Sequence, residues 1–246
     1  MATVEPVPDA PAAVAEVPGG RALVVADYHA GVEVALRGEG VEAASRADER
    51  LSQLRALLTE TSADRVVVLG DLAHDIGRPS GEEAAELEAL VDALPVAVTL
   101  VPGNHDGGVG DDGPHVERTP MGGVRLGEVG FVHGHTWPAR EVLAADVVCM
   151  GHEHPAVRIE DAVGASRIER AWLRGPLDAA PFEDHYGEAI DVDAELIVFP
   201  AFNDLVGGTW VNVERQSFLA PFLPAALPDA EAYLLDGTRL GPYRRV

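Results

Sequence analysis

The sequence predicts an α/β protein, a two-sheet sandwich flanked by helices. Three observations carry this expectation. Short apolar runs alternate with helical patterns between residues 21 and 101. Past residue 110, short strand signals follow one another with little helix between them. Although 47% of the chain is hydrophobic, no apolar run approaches the roughly 18 residues of a membrane span.

The elements follow in order. Residues 1–20 are rich in Ala, Pro and Glu and lack the positive flank and apolar centre of a signal peptide. They are expected to form a disordered acidic tail ahead of a single domain over residues 21–246, in a cytoplasmic protein. Arg21–Ala26 is a short apolar run of the kind buried strands use. Ser45 then precedes Arg46–Leu58, where Leu51, Leu54, Leu57 and Leu58 fall at helical spacing. Arg65–Leu69 is a second strand. Ser80 with Glu83 three residues on reads as a capping box opening a helix to about Ala93. Val96–Val101 is a third strand, and the repeat argues for parallel pairing. Gly107–Gly113 is a loop. Further strands are expected at Val124–Leu126, Gly130–Val132, Val147–Met150, Ala156–Ile159, Leu196–Phe199 and Thr209–Val213, with Asp178–Ala194 as an acidic surface insertion.

The single cysteine, Cys149, excludes a disulfide framework and a thiolate metal site. Five clusters do carry chemistry. Asp27-Tyr28-His29 follows the first strand, Gly70-Asp71 the second, and Gly103-Asn104-His105-Asp106 the third. His133-Gly134-His135 and Gly151-His152-Glu153-His154 follow two later strands. Groups just past the carboxyl ends of strands meet in one crevice. In extended chain Asp27 and His29 point to the same side, as do His152 and His154, while Glu153 faces away. Six of the nine histidines lie in these clusters; His74, His115 and His185 do not. Singly each cluster also reads as an ordinary turn or a coincidence. Carboxylates and imidazoles without thiolates suit borderline-hard divalent ions, manganese foremost, with iron, zinc and nickel as alternatives. The donors are too many for one ion and fit two sharing a carboxylate, with Asp71 as the bridge because it stands alone. Such a pair would attract phosphate and lower the pKa of a bridging water.

The order D-x-H, G-D, G-N-H-D, H-G-H, G-H-x-H resembles the calcineurin-like metallophosphoesterase superfamily over residues 21 to about 160. More narrowly it is similar to archaeal phosphoesterases related to the SbcD nuclease subunit and to bacterial endonucleases associated with DNA ligases. Leu196–Phe202 with Gly207-Gly208 extends the likeness to about residue 213. The resemblance implies that superfamily's fold, with Asp27, His29, Asp71 and His154 around one metal and Asp71, Asn104, His133 and His152 around the other. It implies that His105 gives a proton to the leaving oxygen. Asp106 and His135 are read as groups that orient the ligands. His74 stands where the superfamily's phosphoprotein phosphatases carry an acidic residue. The repair-nuclease branch is similar to this chain there, with a histidine after Gly-Asp-Leu and a Pro-Ser pair (Pro79-Ser80) beyond. His74 is therefore expected either to support His105, so that its loss lowers turnover and leaves the metals bound, or to be an exposed loop histidine.

Together these features predict a metal-dependent hydrolase of phosphate esters, a diester before a monoester, with DNA or a nucleotide among its substrates. A phosphomonoesterase and a non-catalytic scaffold of the same fold are the alternatives; the presence of both Asn104 and His105 speaks against the scaffold. There is no G-x-x-x-x-G-K-[ST] loop, so ATP-driven work would need a protein partner. Arg167, Arg170 and Arg174 either form a local phosphate contact or balance neighbouring acids. Asp and Glu number 41 against 18 cations, every one an arginine, for a net charge of −23. That balance opposes broad adhesion to nucleic acid. It is tolerable where concentrated salt shortens the screening length, which is about 3 Å near 1 M, and so predicts a halophilic protein. The melting temperature should climb with KCl concentration; full stability in dilute buffer would refute the halophilic reading.

Overall fold

Two sheets form because the apolar runs of the sequence have two faces to bury. In the computed structural model, residues 3–110, 116–160, 163–214 and 216–246 are described; His115 and part of the 107–113 loop lie outside them. The first sheet has the spatial order β1 (Val4–Pro6), β2 (Ala12–Val17), β3 (Gly20–Val25), β4 (Arg65–Val68), β5 (Ala97–Leu100) and β6 (Glu117–Arg118). β3 to β6 run parallel, as the strand–helix repeat predicts, while β1 to β3 are antiparallel. Helices α1 (Val32–Gly38) and α2 (Ala47–Thr61) connect β3 to β4, and α3 (Gly81–Ala93) connects β4 to β5.

The expected disordered tail is corrected by β1 and β2. Ala12, Ala13 and Ala15 are fully buried. The small side chains of Ala13 and Ala15 let the hairpin lie close to the second sheet while Ala12 faces the helix layer, and β2 covers the edge that β3 would otherwise expose. Alanine has weak strand propensity, so composition alone concealed these strands.

The second sheet contains β7 (Val124–Leu126), β8 (Val129–Val132), β9 (Val147–Met150), β10 (Ala156–Glu160), β11 (Ser166–Pro176), β12 (Glu195–Val198), β13 (Glu231–Leu234) and β14 (Arg239–Pro242). Its order is β14-β13-β11-β12-β9-β8-β7, with β10 paired to the start of β11. β8, β9 and β12 are parallel. A one-turn helix α4 (Arg140–Leu143) precedes β9, and α5 (Ala180–Tyr186) precedes β12. Two expectations fail here. Thr209–Val213 forms no strand, only a single bridge from Trp210 to Ala156. Asp178–Ala194 is more than a surface insertion: it carries α5, whose Phe182 is fully buried against Trp137 and Phe222.

Alternation along the strands sorts the core into layers. Ala22, Val24 and Val67 face the second sheet, meeting Phe131, Cys149, Ile197 and Phe199. Leu23, Val25, Val66 and Val68 face outward, covered by Leu54 and Leu58 of α2 and Leu87 and Leu90 of α3. Phe182, Phe222 and Leu227 cover the far face of the second sheet.

Two polar features position the loops of the first sheet. Arg50 of α2 lies buried between Glu33 of α1 (2.5 Å) and Glu86 of α3 (2.8 Å), and Glu86 also accepts the Gly31 N–H at 2.9 Å. The three helices are thereby fastened beneath the loop that follows β3. The second feature replaces the expected capping box. Ser80 sits at the start of α3 without a side-chain cap bond. The Glu83 carboxylate turns instead to the backbone N–H groups of His74 (2.8 Å) and Asp75 (2.9 Å). Replacing Arg50 with methionine strands two buried carboxylates. The cost should be about 3–5 kcal/mol, the range for breaking a buried ion pair, read as a lower urea midpoint at constant salt.

Candidate metal centre

The loops after β3, β4, β5, β8 and β9 leave the carboxyl ends of their strands and carry all five clusters. Asp27, His29, Asp71, His152 and His154 each have positive φ (55°, 47°, 48°, 71° and 43°). They are five of the seven non-glycine residues in that conformation among the described residues. Left-handed backbone costs roughly 1–3 kcal/mol per residue and persists only where the surroundings enforce it. The extended triplets expected from sequence are thus corrected: left-handed turns bring Asp27 and His29 to one donor group and send His152 and His154 to different ones.

Hydrogen bonds across the loops supply the enforcement. The His29 N–H donates to the Asp71 carbonyl (2.9 Å), and the Asp27 N–H to that of Gly70 (3.2 Å). Asp106 is wholly buried and accepts from Leu72, Ala73 and Gly103, tying the loop after β4 to the loop after β5. Glu153 does face away from its neighbours. Its buried carboxylate accepts from Thr209, Leu219 and Ala220, anchoring the His152–His154 turn. Asn203 donates to the carbonyls of Tyr28 and His29. The sequence reading missed Asn203, which stands one residue beyond the Leu196–Phe202 segment. Two glycines permit the close approach. A Cβ on Gly70 would lie 2.2 Å from His133 Nδ1, and one on Gly103 would lie 2.1 Å from Asp71 Oδ1.

Two groups of donors result: Asp27, His29 and His154, and Asp71, His133 and His152. Asn104 joins the second, with Oδ1 3.2 Å from His133 Nε2. Ring orientation decides what they offer. His133 Nδ1–H donates to the Leu69 carbonyl at 2.8 Å, and His154 Nδ1–H to that of Gly207 at 2.7 Å. Their Nε2 atoms are left to face other acceptors. His133 Nε2 is 3.5 Å from Asp71 Oδ1. His154 Nε2 is 3.4 Å from both Asp27 Oδ1 and His29 Nε2. A divalent ion with bonds of about 2.1 Å holds neighbouring donors about 3.0–3.4 Å apart, so these residues fit a metal. The Asp71 carboxylate lies between the groups, with Oδ1 toward His133 and Oδ2 3.8 Å from His29 Nε2.

The electrostatics agree. Burial disfavours the charged form of Asp27, but the charge and hydrogen bond of His154, with His133 and His29, outweigh it and hold the carboxyl down at about 2. Burial likewise disfavours charge on His154, but Asp27 and the Gly207 carbonyl raise it to about 9. Burial lowers His29 and His152 to about 3, leaving both neutral and ready to ligate. Burial and the Asp27 charge raise Asp71 despite the opposing pull of His133.

The remaining candidates fall nearby. His105 donates through Nδ1 to the His74 carbonyl, which leaves Nε2 3.8 Å from Asp71 Oδ2. The His74 ring makes its hydrogen-bond contact with His29, Nδ1 to Nδ1 at 3.3 Å; toward His105 it offers its backbone carbonyl and a ring packed 5.9 Å away. His135 packs 5.2 Å from the His133 ring, and its two buried nitrogens have no hydrogen-bond partner. The arginines sort toward charge balance. Arg174 donates two hydrogen bonds to the Glu195 carboxylate and Arg167 pairs with Glu169, while Arg170 donates to the carbonyls of Ala201 and Phe202.

The model of the calcineurin-like phosphoesterase superfamily domain matches residues 21–173. Among solved structures, the nuclease MPE of Pseudomonas putida is similar at 20% identity, covering 95% of this chain and 98% of that one, with a TM-score of 0.53. YfcE, a phosphoesterase from E. coli, is similar at 23% identity over 57% of this chain and 74% of its own, with a TM-score of 0.34. No curated protein matches the chain.

Metal entry and proton occupancy are linked at this centre. Without an ion, His154 keeps its proton up to about pH 9, and ligation requires the neutral ring. Mn²⁺ affinity of the Asp27 group should therefore rise with pH, levelling off near 9, with about one proton released per ion near neutrality. Calorimetry in buffers of different ionisation enthalpy reads both; an affinity that stays flat as the pH rises would contradict the assignment.

Proposed function

The chain belongs to the calcineurin-like phosphoesterase superfamily, and from that premise we propose that it hydrolyses phosphodiesters with two divalent ions, manganese by preference. One observation carries the reading. At least four acceptor atoms face one another at 3.2–3.5 Å around His133 and His154, with both outer nitrogens committed to carbonyls. Around His133 these lone pairs repel unless a cation lies between them, and around His154 they do so once its Nε2 proton has left. Asp27, His29 and His154 would hold one ion and Asn104, His133 and His152 the other, with Asp71 shared. Bound there, the ions would supply an activated water and neutralise charge on the phosphoryl oxygens.

The chain's own groups do the rest. Asp71 receives the His105 N–H at 3.0 Å on Oδ1, so the shared carboxylate also fixes the backbone of the residue beside it. With Nδ1–H engaged by the His74 carbonyl, the His105 ring can hold a second proton only at Nε2, the nitrogen facing the centre. From there the proton passes to the departing oxygen, a general-acid contribution of typically 10²–10⁴ in rate. Asp106, Glu153 and Asn203 keep the loops in place, and His135 lies beside His133 and His152. The nuclease MPE shares this fold, and short or flapped DNA joins the diesters to be tried.

Bis-p-nitrophenyl phosphate and the corresponding monoester with Mn²⁺ test the proposal. Diester turnover should exceed monoester turnover, vanish with chelator and return with Mn²⁺. His105→Ala should lower kcat by about 10²–10⁴ with both ions still bound. Absence of turnover in fully loaded protein would favour the scaffold, and a monoester preference would favour a phosphomonoesterase.

A further inference from the structure

Each ligand histidine needs something to hold its outer nitrogen, because that bond sets which nitrogen is free and where the ring points. His133 and His154 use the carbonyls of Leu69 and Gly207. At His29 the corresponding position is taken by a side chain. His29 Nε2 faces the centre, 3.4 Å from His154 Nε2 and 3.8 Å from Asp71 Oδ2, and its Nδ1 faces His74 Nδ1 at 3.3 Å. The two rings meet edge to face, 5.2 Å apart and 67° inclined. We propose that His74 is a positioning residue for His29, accepting its Nδ1–H and so presenting the Nε2 lone pair to the ion of the Asp27 group. The inference rests on the metal-centre reading above.

His74 is itself held in place. Its backbone N–H donates to Glu83 Oε1 at 2.8 Å, and the Asp75 N–H to the same oxygen at 2.9 Å. Glu83 is buried, and its Cβ packs so close to Gly31 that a side chain there would meet it at 2.6 Å. The carbonyl of residue 74 meanwhile receives His105 Nδ1–H. One residue thus serves two partners by different atoms: its ring the metal ligand His29, its carbonyl the acid His105. Only the first contact depends on what the side chain is.

That division makes the proposal separable from a merely structural role. Metal-free protein is titrated with Mn²⁺ by calorimetry, and kcat is then measured at saturating Mn²⁺ across pH. In His74→Ala the affinity of one site should fall about 10–100-fold, the usual loss when an outer partner is removed. The other site should be unchanged, and kcat at saturating Mn²⁺ should fall far less than it does in His105→Ala at every pH. In His74→Asn the amide can occupy the place of Nδ1 and accept the same bond, so affinity should largely return. Unchanged binding in His74→Ala overturns the proposal. So does equal weakening of both sites, or an asparagine variant no better than alanine. Wild-type protein that binds fewer than two ions would instead refute the metal-centre reading itself.

Discussion

The constraint on which the molecule depends is the crowding of lone pairs at one end of the sandwich. Carboxylate oxygens of Asp27 and Asp71, the Asn104 carbonyl and imidazole nitrogens of His29, His133 and His154 stand within hydrogen-bond distances of one another with few protons to share. Apart from the proton that His154 shares with Asp27, such an assembly repels itself. The left-handed turns at five of its residues, the glycines with no room for a Cβ, and the buried Asp106, Glu153 and Asn203 are all devices that impose the arrangement from outside. The parallel strands supply a common edge from which the loops start, and the helix layer behind, fastened through Arg50, keeps the loop after β3 from relaxing.

What could be read from the sequence follows the same division. Strands buried on both faces are continuous apolar runs, so β3, β4, β5 and β9 were legible almost to the residue. β11 was not, because Arg167, Glu169 and Arg174 alternate with its apolar residues and conceal an eleven-residue strand. The β1–β2 hairpin was hidden by alanines whose burial becomes favourable only once a second sheet lies against them. The candidate ligands were legible because their chemistry is unusual at strand ends. Their backbone was not, since no local rule marks an aspartate or histidine for positive φ. The clamps were hidden for a further reason. Asn203 reaches back to Tyr28 and His29, and Glu153 forward to Leu219, contacts that only the closed fold creates.

The Ser80–Glu83 pair shows how a sound local rule can be overridden. A capping box satisfies two N–H groups at a helix start. Here Glu83 satisfies two N–H groups in the loop after Asp71 instead. The gain is of the same kind, but it holds the loop at His74 and Asp75, beyond Leu72 and Ala73, which Asp106 already secures. The carboxylate therefore goes where the unsatisfied donors are more deeply placed. The helix start remains near solvent, where water can replace the missing cap.

Charge is handled differently inside and out. Asp27 is wholly buried, and a buried carboxylate without a partner would cost several kcal/mol. In the ion-free chain the proton on His154 provides that partner, and an arriving cation would take over its place. The same compensation recurs where Arg50 meets Glu33 and Glu86. The surface is matched only in part, by pairs such as Arg174 with Glu195 and Arg167 with Glu169, and a net charge of −23 repels any polyanion at long range. Attraction for a phosphate ester must then arise within a screening length of the centre itself, about 10 Å at moderate salt and less in brine. A substrate gains from this field only through the phosphate at the centre and not from its length. Recognition of a long polyanion would therefore have to rest on contacts to its sugars or bases close to the reacting phosphate.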